Sequence, residues 1–235
     1  MKCSLIITTF NAPRFLEAVL ESISLQIEKP AEVIVADDGS GYDTGEVIGR
    51  WGYQIGCPLV HSYQPNRGFR LSRSRNLAIL KATSEWIIIV DGDCILPPNF
   101  VAKHVKLARQ NILVFGSRKL LNATQSAEIL NADNRMEVAS QYFSGRKFLK
   151  LPMGMFRMWP KRSWTHLRGF MMAASRANFL ATEGFDESFE DWGLEDSDFA
   201  IRAMRCGLIL CDSRYAVSLL HLHHPEPSRS SKSSN

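Results

Sequence analysis

Apolar and polar positions follow two distinct periods along the first half of the chain. Leu5-Ile6-Ile7 is an uninterrupted apolar run, the pattern of a buried strand. Leu16, Val19, Leu20, Ile23 and Ile27 then recur at helical spacing, which predicts a helix capped by Asn11 with Pro13 in its first turn. Glu32 to Ala36 reads as a second strand, followed by a weaker helix and a short strand near Leu59-Val60. Leu71 to Thr83 predicts a helix, Trp86 to Val90 another buried strand, and Pro98 opens a helix through Arg109. Such alternation calls for an α/β architecture, a parallel sheet with helices on both faces.

The second half is patterned differently. A glycine-punctuated segment runs from Gly169 to Ser175. A short helix from Arg176 to Glu183 stops at Gly184, and another from about Leu194 to Cys206 stops at Gly207. The apolar run Val217 to Leu220 leads into His221-Leu222-His223-His224. No internal repeat or linker divides the chain, so residues 1–227 are expected to form a single domain. The polar residues 228–235 are expected to be a disordered tail.

With 235 residues, 45% of them hydrophobic, the chain can bury a sizeable core. No apolar stretch approaches the roughly 18 residues that span a bilayer. The N-terminal apolar run is too short for a signal peptide, so the expected compartment is the cytoplasm. Cys3, Cys57, Cys94, Cys206 and Cys211 form no C-x-x-C pair, which argues against a disulfide frame or zinc knuckle and for a reducing compartment. The net charge of +4 does not suggest nucleic acid. Arg146, Lys147, Lys150, Arg157, Lys161, Arg162 and Arg168 are interleaved with Phe148, Phe156, Trp159 and Trp164. That segment suits an anionic substrate, peripheral contact with a membrane surface, or a solvated loop.

Candidate chemistry concentrates at strand ends. Asp91-Gly92-Asp93 directly follows Trp86-Ile87-Ile88-Ile89-Val90, at the carboxyl edge where open α/β sheets bind ligands. Strand alternation would point both carboxylates the same way, a pair suited to a hard divalent cation holding a diphosphate. An acidic turn after a strand would leave the same pattern. Asp37-Asp38 precede Gly39-Ser40-Gly41, but the glycine spacing is one residue too long for a dinucleotide fingerprint and the carboxylates would repel a pyrophosphate. A carboxylate there is better placed to accept from a base N–H or ribose hydroxyls. Arg67, Arg70, Arg73 and Arg75 lie at a helix start that favours anions. Glu195 and Asp196 open the last helix, where acidic residues also serve plain helix-terminus chemistry. His221, His223 and His224 are candidate metal ligands, with strand alternation putting His221 and His223 on one face.

In this order and approximate spacing, Ile6-Ile7-Thr8-Thr9-Phe10-Asn11, Val33 to Ser40, Arg75-Asn76 and Asp91-Gly92-Asp93 resemble glycosyltransferase family 2. Gly169-Phe170, Gly184-Phe185-Asp186-Glu187, Trp192-Gly193-Leu194-Glu195-Asp196 and His221 resemble the galactosyltransferase-type C-terminal half, shared with bacterial chondroitin polymerase and the beta-1,4-galactosyltransferases. The resemblance implies the GT-A (nucleotide-diphospho-sugar transferase) fold, with a Rossmann-like, mainly parallel central sheet flanked by helices. Residues 1–115 would be the nucleotide-sugar-binding half and 116–227 the acceptor-binding and catalytic half. It implies Thr8 and Asp38 at the uracil and ribose, Arg75 at the nucleotide, and Asp91 near the ribose and metal. Asp93 and His221 would ligate Mn²⁺ or Mg²⁺, with His223 or His224 as substitutes for His221. Asp196 would be the catalytic base, with Glu195 and Trp192 holding the acceptor.

The implied activity is an inverting, metal-dependent transfer from a UDP-sugar to a hydroxyl of a glycan or lipid-linked acceptor. Cell-envelope polysaccharide or lipopolysaccharide synthesis at the inner face of the membrane is the expected setting. A sugar-phosphate nucleotidyltransferase is the alternative, disfavoured because the first strand–helix turn reads Thr8-Thr9-Phe10-Asn11-Ala12-Pro13, without the lysine of that class. A non-catalytic sugar-binding subunit is a further alternative, but it would be expected to lack one of Asp93, Asp196 or His221.

Overall fold

The apolar runs of the N-terminal half become adjacent parallel strands. β1 (Cys3–Thr9) is flanked by β2 (Glu32–Asp37) and β4 (Trp86–Asp91), both parallel to it, and β3 (Leu59–Tyr63) extends the sheet beyond β2. Every residue of β1 and β2 is buried because helices cover both faces, which is why these strands read as continuous rather than alternating runs. On one face Leu5, Ile7, Val33, Val35, Ile88 and Val90 pack under α1 (Pro13–Ser24), α2 (Tyr42–Trp51) and α4 (Phe100–Leu107). On the other, Ile6, Ile34, Ile87 and Ile89 pack under α3 (Leu71–Lys81) and two later helices, α7 (Arg176–Ala181) and α8 (Glu195–Arg205).

The structure is a computed structural model that describes residues 1–143, 159–161, 163–190, 193–214 and 216–225. Trp192, the tail at 228–235 and most of the basic, aromatic segment lie outside the described residues. Among those described, eight strands form one sheet in the order β3-β2-β1-β4-β9-β6-β10-β8. β9 (Met171–Ser175) runs antiparallel between β4 and β6 (Ile112–Phe115). β10 (Ile209–Asp212) is parallel to β6, and β8 (Trp159–Lys161) closes the edge antiparallel to it. The sheet is therefore mixed but mainly parallel. A second, three-stranded sheet orders β5 (Cys94–Ile95), β11 (Ser218–His221) and β7 (Ser117–Leu120). α5 (Ala123–Asn131) and α6 (Arg135–Tyr142) pack beside it, and Arg135 bridges to Glu17 and Glu21 of α1 at 3.4 and 2.8 Å. No helix among the described residues is long and apolar enough to cross a membrane.

Two local expectations fail. Asn11 does not cap α1: Ala12 occupies that position without a side-chain hydrogen bond. Asn11 instead adopts a left-handed φ of 46°, and its side chain accepts from the Gly41 N–H at 2.9 Å, tying the β1 turn to the β2 turn. Ile27 leaves the apolar face because α1 ends at Ser24, and it is 78% exposed.

His104 on α4 is fully buried, its ring 4.5 Å from that of Phe100, and neither ring nitrogen has a hydrogen-bond partner among the described residues. Burial pushes its pKa down to about 3. Below about pH 6.5 the unfolded chain takes up a proton that the folded chain refuses, so stability falls with pH until about 3. Replacing His104 with Leu should remove about 2 kcal/mol of the stability lost between pH 7 and pH 5. Denaturant titrations at the two pH values would measure it, and equal losses in both proteins would refute the assignment.

Candidate active site

The carboxyl end of β4 is locked to its neighbours. The Asp91 N–H donates to Phe170 O at 3.0 Å, and Asp91 Oδ1 accepts from Thr8 Oγ1 at 3.1 Å and from an Arg75 terminal nitrogen at 3.2 Å. Burial pushes the Asp91 carboxyl up, Arg75 pulls it back, and the Asp93 charge adds to the rise. Gly92 follows because nothing larger fits: a Cβ there would sit 2.2 Å from Thr8 O. β4 ends at Asp91, so strand alternation does not carry through to Asp93, and the two carboxylates take different partners.

Arg75 is 1% exposed. One terminal nitrogen faces Asp91 and the other lies 3.4 Å from Glu195 Oε1, while Gly169 O accepts at 3.4 Å and the Phe185 ring centroid is 5.1 Å away. The expected nucleotide-binding arginine is thus enclosed by protein groups. It joins the end of β4 to the start of α8. Glu195, expected at the acceptor, is 5% exposed, and its second oxygen accepts from the Gly193 N–H at 3.1 Å.

Asp93 lies in the turn between β4 and β5. His221 Nε2 and His224 Nε2 approach its Oδ2 at 3.2 and 2.9 Å. Strand alternation predicted that His221 would pair with His223, but β11 ends at His221. Beyond that point the chain leaves the strand, the His223 N–H donates to Ser126 Oγ at 2.7 Å, the His223 side chain is exposed, and His224 reaches Asp93. Burial alone would raise the Asp93 carboxyl, but the hydrogen bonds from both imidazoles outweigh it and hold Asp93 well below the usual range. Cys94 Sγ donates to Asp93 Oδ1 at 3.1 Å. Burial pushes that thiol well up, so Cys94 supports the carboxylate as a donor. Ligand atoms of Asp93, Cys94 and His221 lie within 4.8 Å of one another. One carboxylate and two imidazoles form a donor set suited to a divalent transition metal.

Asp196 sits in the first turn of α8, after Gly193 and Leu194 with φ of 106° and 75°. A Cβ on Gly169 would lie 3.0 Å from Asp196 Cβ, so this glycine lets the two segments touch. The same Gly169 carbonyl receives Arg75, which sets Asp196 next to the Arg75 cluster. Asp38 stands apart. Its oxygens accept from Gln64 Nε2 at 2.5 Å and the Arg70 N–H at 2.7 Å, bracing the loop that starts α3. Asp37 turns elsewhere, toward His61 and the Ser40 N–H.

Residues 4–162, more than half of the chain, match the sequence profile of Glycosyl transferase family 2. The chain belongs to glycosyltransferase family 2. Residues 153–225 match a second profile, described as the N-terminal domain of galactosyltransferase. Hyaluronan synthase from Pasteurella multocida is 26% identical over 95% of this chain and 24% of its own length. Chondroitin synthase from Escherichia coli is 24% identical over 96% of this chain and 35% of its own. The family 2 chain thus spans about a quarter to a third of these relatives. Staphylococcus aureus TarS 1-349 in complex with UDP-GlcNAc superposes with a TM-score of 0.67 at 19% identity, covering 98% of this chain and 61% of that one. The mannosyltransferase PcManGT from Pyrobaculum calidifontis, in complex with GDP-Man and Mn²⁺, gives 0.63 at 22%, covering 97% and 58%. These likenesses establish the GT-A fold.

Removing the buried cation should destabilise the junction it makes. Arg75→Met leaves Asp91 and Glu195 unmatched and is expected to cost on the order of 3–5 kcal/mol in chemical denaturation. Arg75→Lys should recover only part, since one ammonium cannot satisfy both carboxylates. A loss below about 1 kcal/mol in Arg75→Met would show that the cluster does not hold the two elements together.

Proposed function

We propose that this chain is the catalytic unit of an inverting, metal-dependent glycosyltransferase. It transfers a sugar from a UDP-sugar to a hydroxyl of a glycan or lipid-linked acceptor, in cell-envelope polysaccharide or lipopolysaccharide synthesis. The observation that carries the reading is that His221 and His224 meet at Asp93, two residues past the Arg75-bound Asp91, while Asp196 directly follows the Arg75-bound Glu195. UDP-GlcNAc in TarS supports a uridine donor, and Mn²⁺ in PcManGT supports a divalent cation. Residues 1–115 would form the donor half and 116–227 the acceptor half.

Asp93 and His221 would hold the cation, with His224 as a further imidazole, a set that favours Mn²⁺ over Mg²⁺. When bound, such a cation offsets the charge of the departing diphosphate. Thr8 and Asp38 orient the uridine, and Asp91, held by Thr8 and Arg75, presents its second oxygen beside the ribose. Glu195 and Trp192 position the acceptor. Asp196 takes the proton from the acceptor hydroxyl as that oxygen attacks the anomeric carbon from the face opposite the diphosphate. The bond to the diphosphate breaks in the same displacement, so the anomeric configuration inverts and no enzyme nucleophile is required.

Asp196→Asn should lower transfer by about 10² to 10⁴ while leaving donor binding nearly intact. Release of UDP from a panel of donors would measure the first and calorimetry the second; retained turnover would remove Asp196 from its role. Asp93→Ala should weaken Mn²⁺-dependent UDP binding, and an unchanged titration would count against the cation site.

A further inference from the structure

β7 and β11 run parallel, with Arg118 opposite Leu219 and Leu120 opposite His221. Directly paired residues share a face of a pleated sheet, as do residues two apart on one strand. Arg118 therefore lies on the His221 face, two positions back. Cys94, paired with His221 across β5, lies on it too. Lys119 takes the opposite face, where its Nζ donates to Tyr142 O at 3.1 Å beneath α6. Of two adjacent cations, the pleat sends one toward the Asp93 site and the other away.

The Arg118 guanidinium carbon is 4.7 Å from the centroid of Phe170. That ring is 4% exposed and anchored to the end of β4 through the Phe170 carbonyl and the Asp91 N–H. So placed, the guanidinium charge bears on Asp91, Cys94 and His224. A permanent cation beside a cation site opposes loading of a bare metal ion. Beside Asp91 the guanidinium already favours negative charge, and its planar fork suits the phosphate oxygens that a cation at Asp93 would hold there. We infer that Arg118 contacts the diphosphate of the donor and makes cation and diphosphate binding mutually dependent. This rests on the cation-site reading given under Proposed function.

The test titrates Mn²⁺ alone, UDP with Mn²⁺, and uridine with Mn²⁺ into the wild type, Arg118→Gln and Arg118→Lys, with thermal melting to check folding. Arg118→Gln should bind UDP about 10- to 100-fold more weakly, leave uridine unchanged, and bind Mn²⁺ alone as well as or better than the wild type. Arg118→Lys should fall between, keeping the charge without the fork, and it carries the test should the glutamine variant misfold. A purely structural role would instead weaken Mn²⁺ and UDP together, which would overturn the inference, as would unchanged UDP binding. If a UDP-uronate lost affinity while UDP itself did not, the guanidinium would read the sugar carboxylate and the inference would also fall. A wild type that binds no UDP with Mn²⁺ defeats the cation-site reading itself, and this inference with it.

Discussion

A guanidinium cannot shed its proton, so one buried to 1% exposure must be surrounded by matching negative charge. Arg75 meets that requirement with two carboxylates from distant parts of the sequence, Asp91 and Glu195. The end of β4 and the start of α8 are thereby tied to one side chain of α3. Because Glu195 is fixed, the next residue, Asp196, is fixed with it, and the Gly169 carbonyl that also receives Arg75 lies against Asp196. Four carboxylates crowd this region. One buried cation matches two of them, while Asp93 is held by histidines and Asp196 accepts from Ser197 Oγ at 3.3 Å.

The same crowding explains the glycines that matter. Gly92 is pressed on the Thr8 carbonyl, Gly169 on Asp196, and Gly184, at φ 68°, on the Asn76 side chain. Asn76, next to Arg75, donates to Phe185 O and accepts from Phe185 N–H, both at 2.8 Å, as another strand backbone would. One turn of α3 therefore fixes the β4 end through Arg75 and the Gly184-Phe185 turn through Asn76. Side-chain bulk at any of these approaches would push apart segments that the ion pairs draw together.

How much of this was legible follows from the periods involved. β1, β2, β4 and the helices between them announce themselves because burial on both faces leaves unbroken Val and Ile runs, and α1 carries a strong helical face. The final helix was legible from its acidic first turn and Gly207. β9 was not, since Met171-Met172-Ala173-Ala174-Ser175 has weak strand propensity and owes its place to insertion between β4 and β6. α5 and α6 escaped because they are short and bury few residues, although Asn122 and Gln125 form a capping box that three-residue spacing could have revealed. At the site, the residue types were legible and their pairings were not. Alternation misplaced His223 and His224 because it was extended past the end of β11, and Arg118 gave no signal because a basic residue within the short polar strand β7 reads as a solvated edge.

The relatives with named polysaccharide-synthase functions are three to four times longer than the stretch they share with this chain, which raises the question of where the chemistry resides. The described site residues run from Thr8 to His224, and together the two matched profiles cover 4–225. Arg75 binds a carboxylate from within each profile, Asp91 from the first and Glu195 from the second. The two profiles therefore do not mark two separable functions laid end to end. The buried guanidinium makes them halves of one electrostatic unit, and neither half would keep its carboxylate in place without the other.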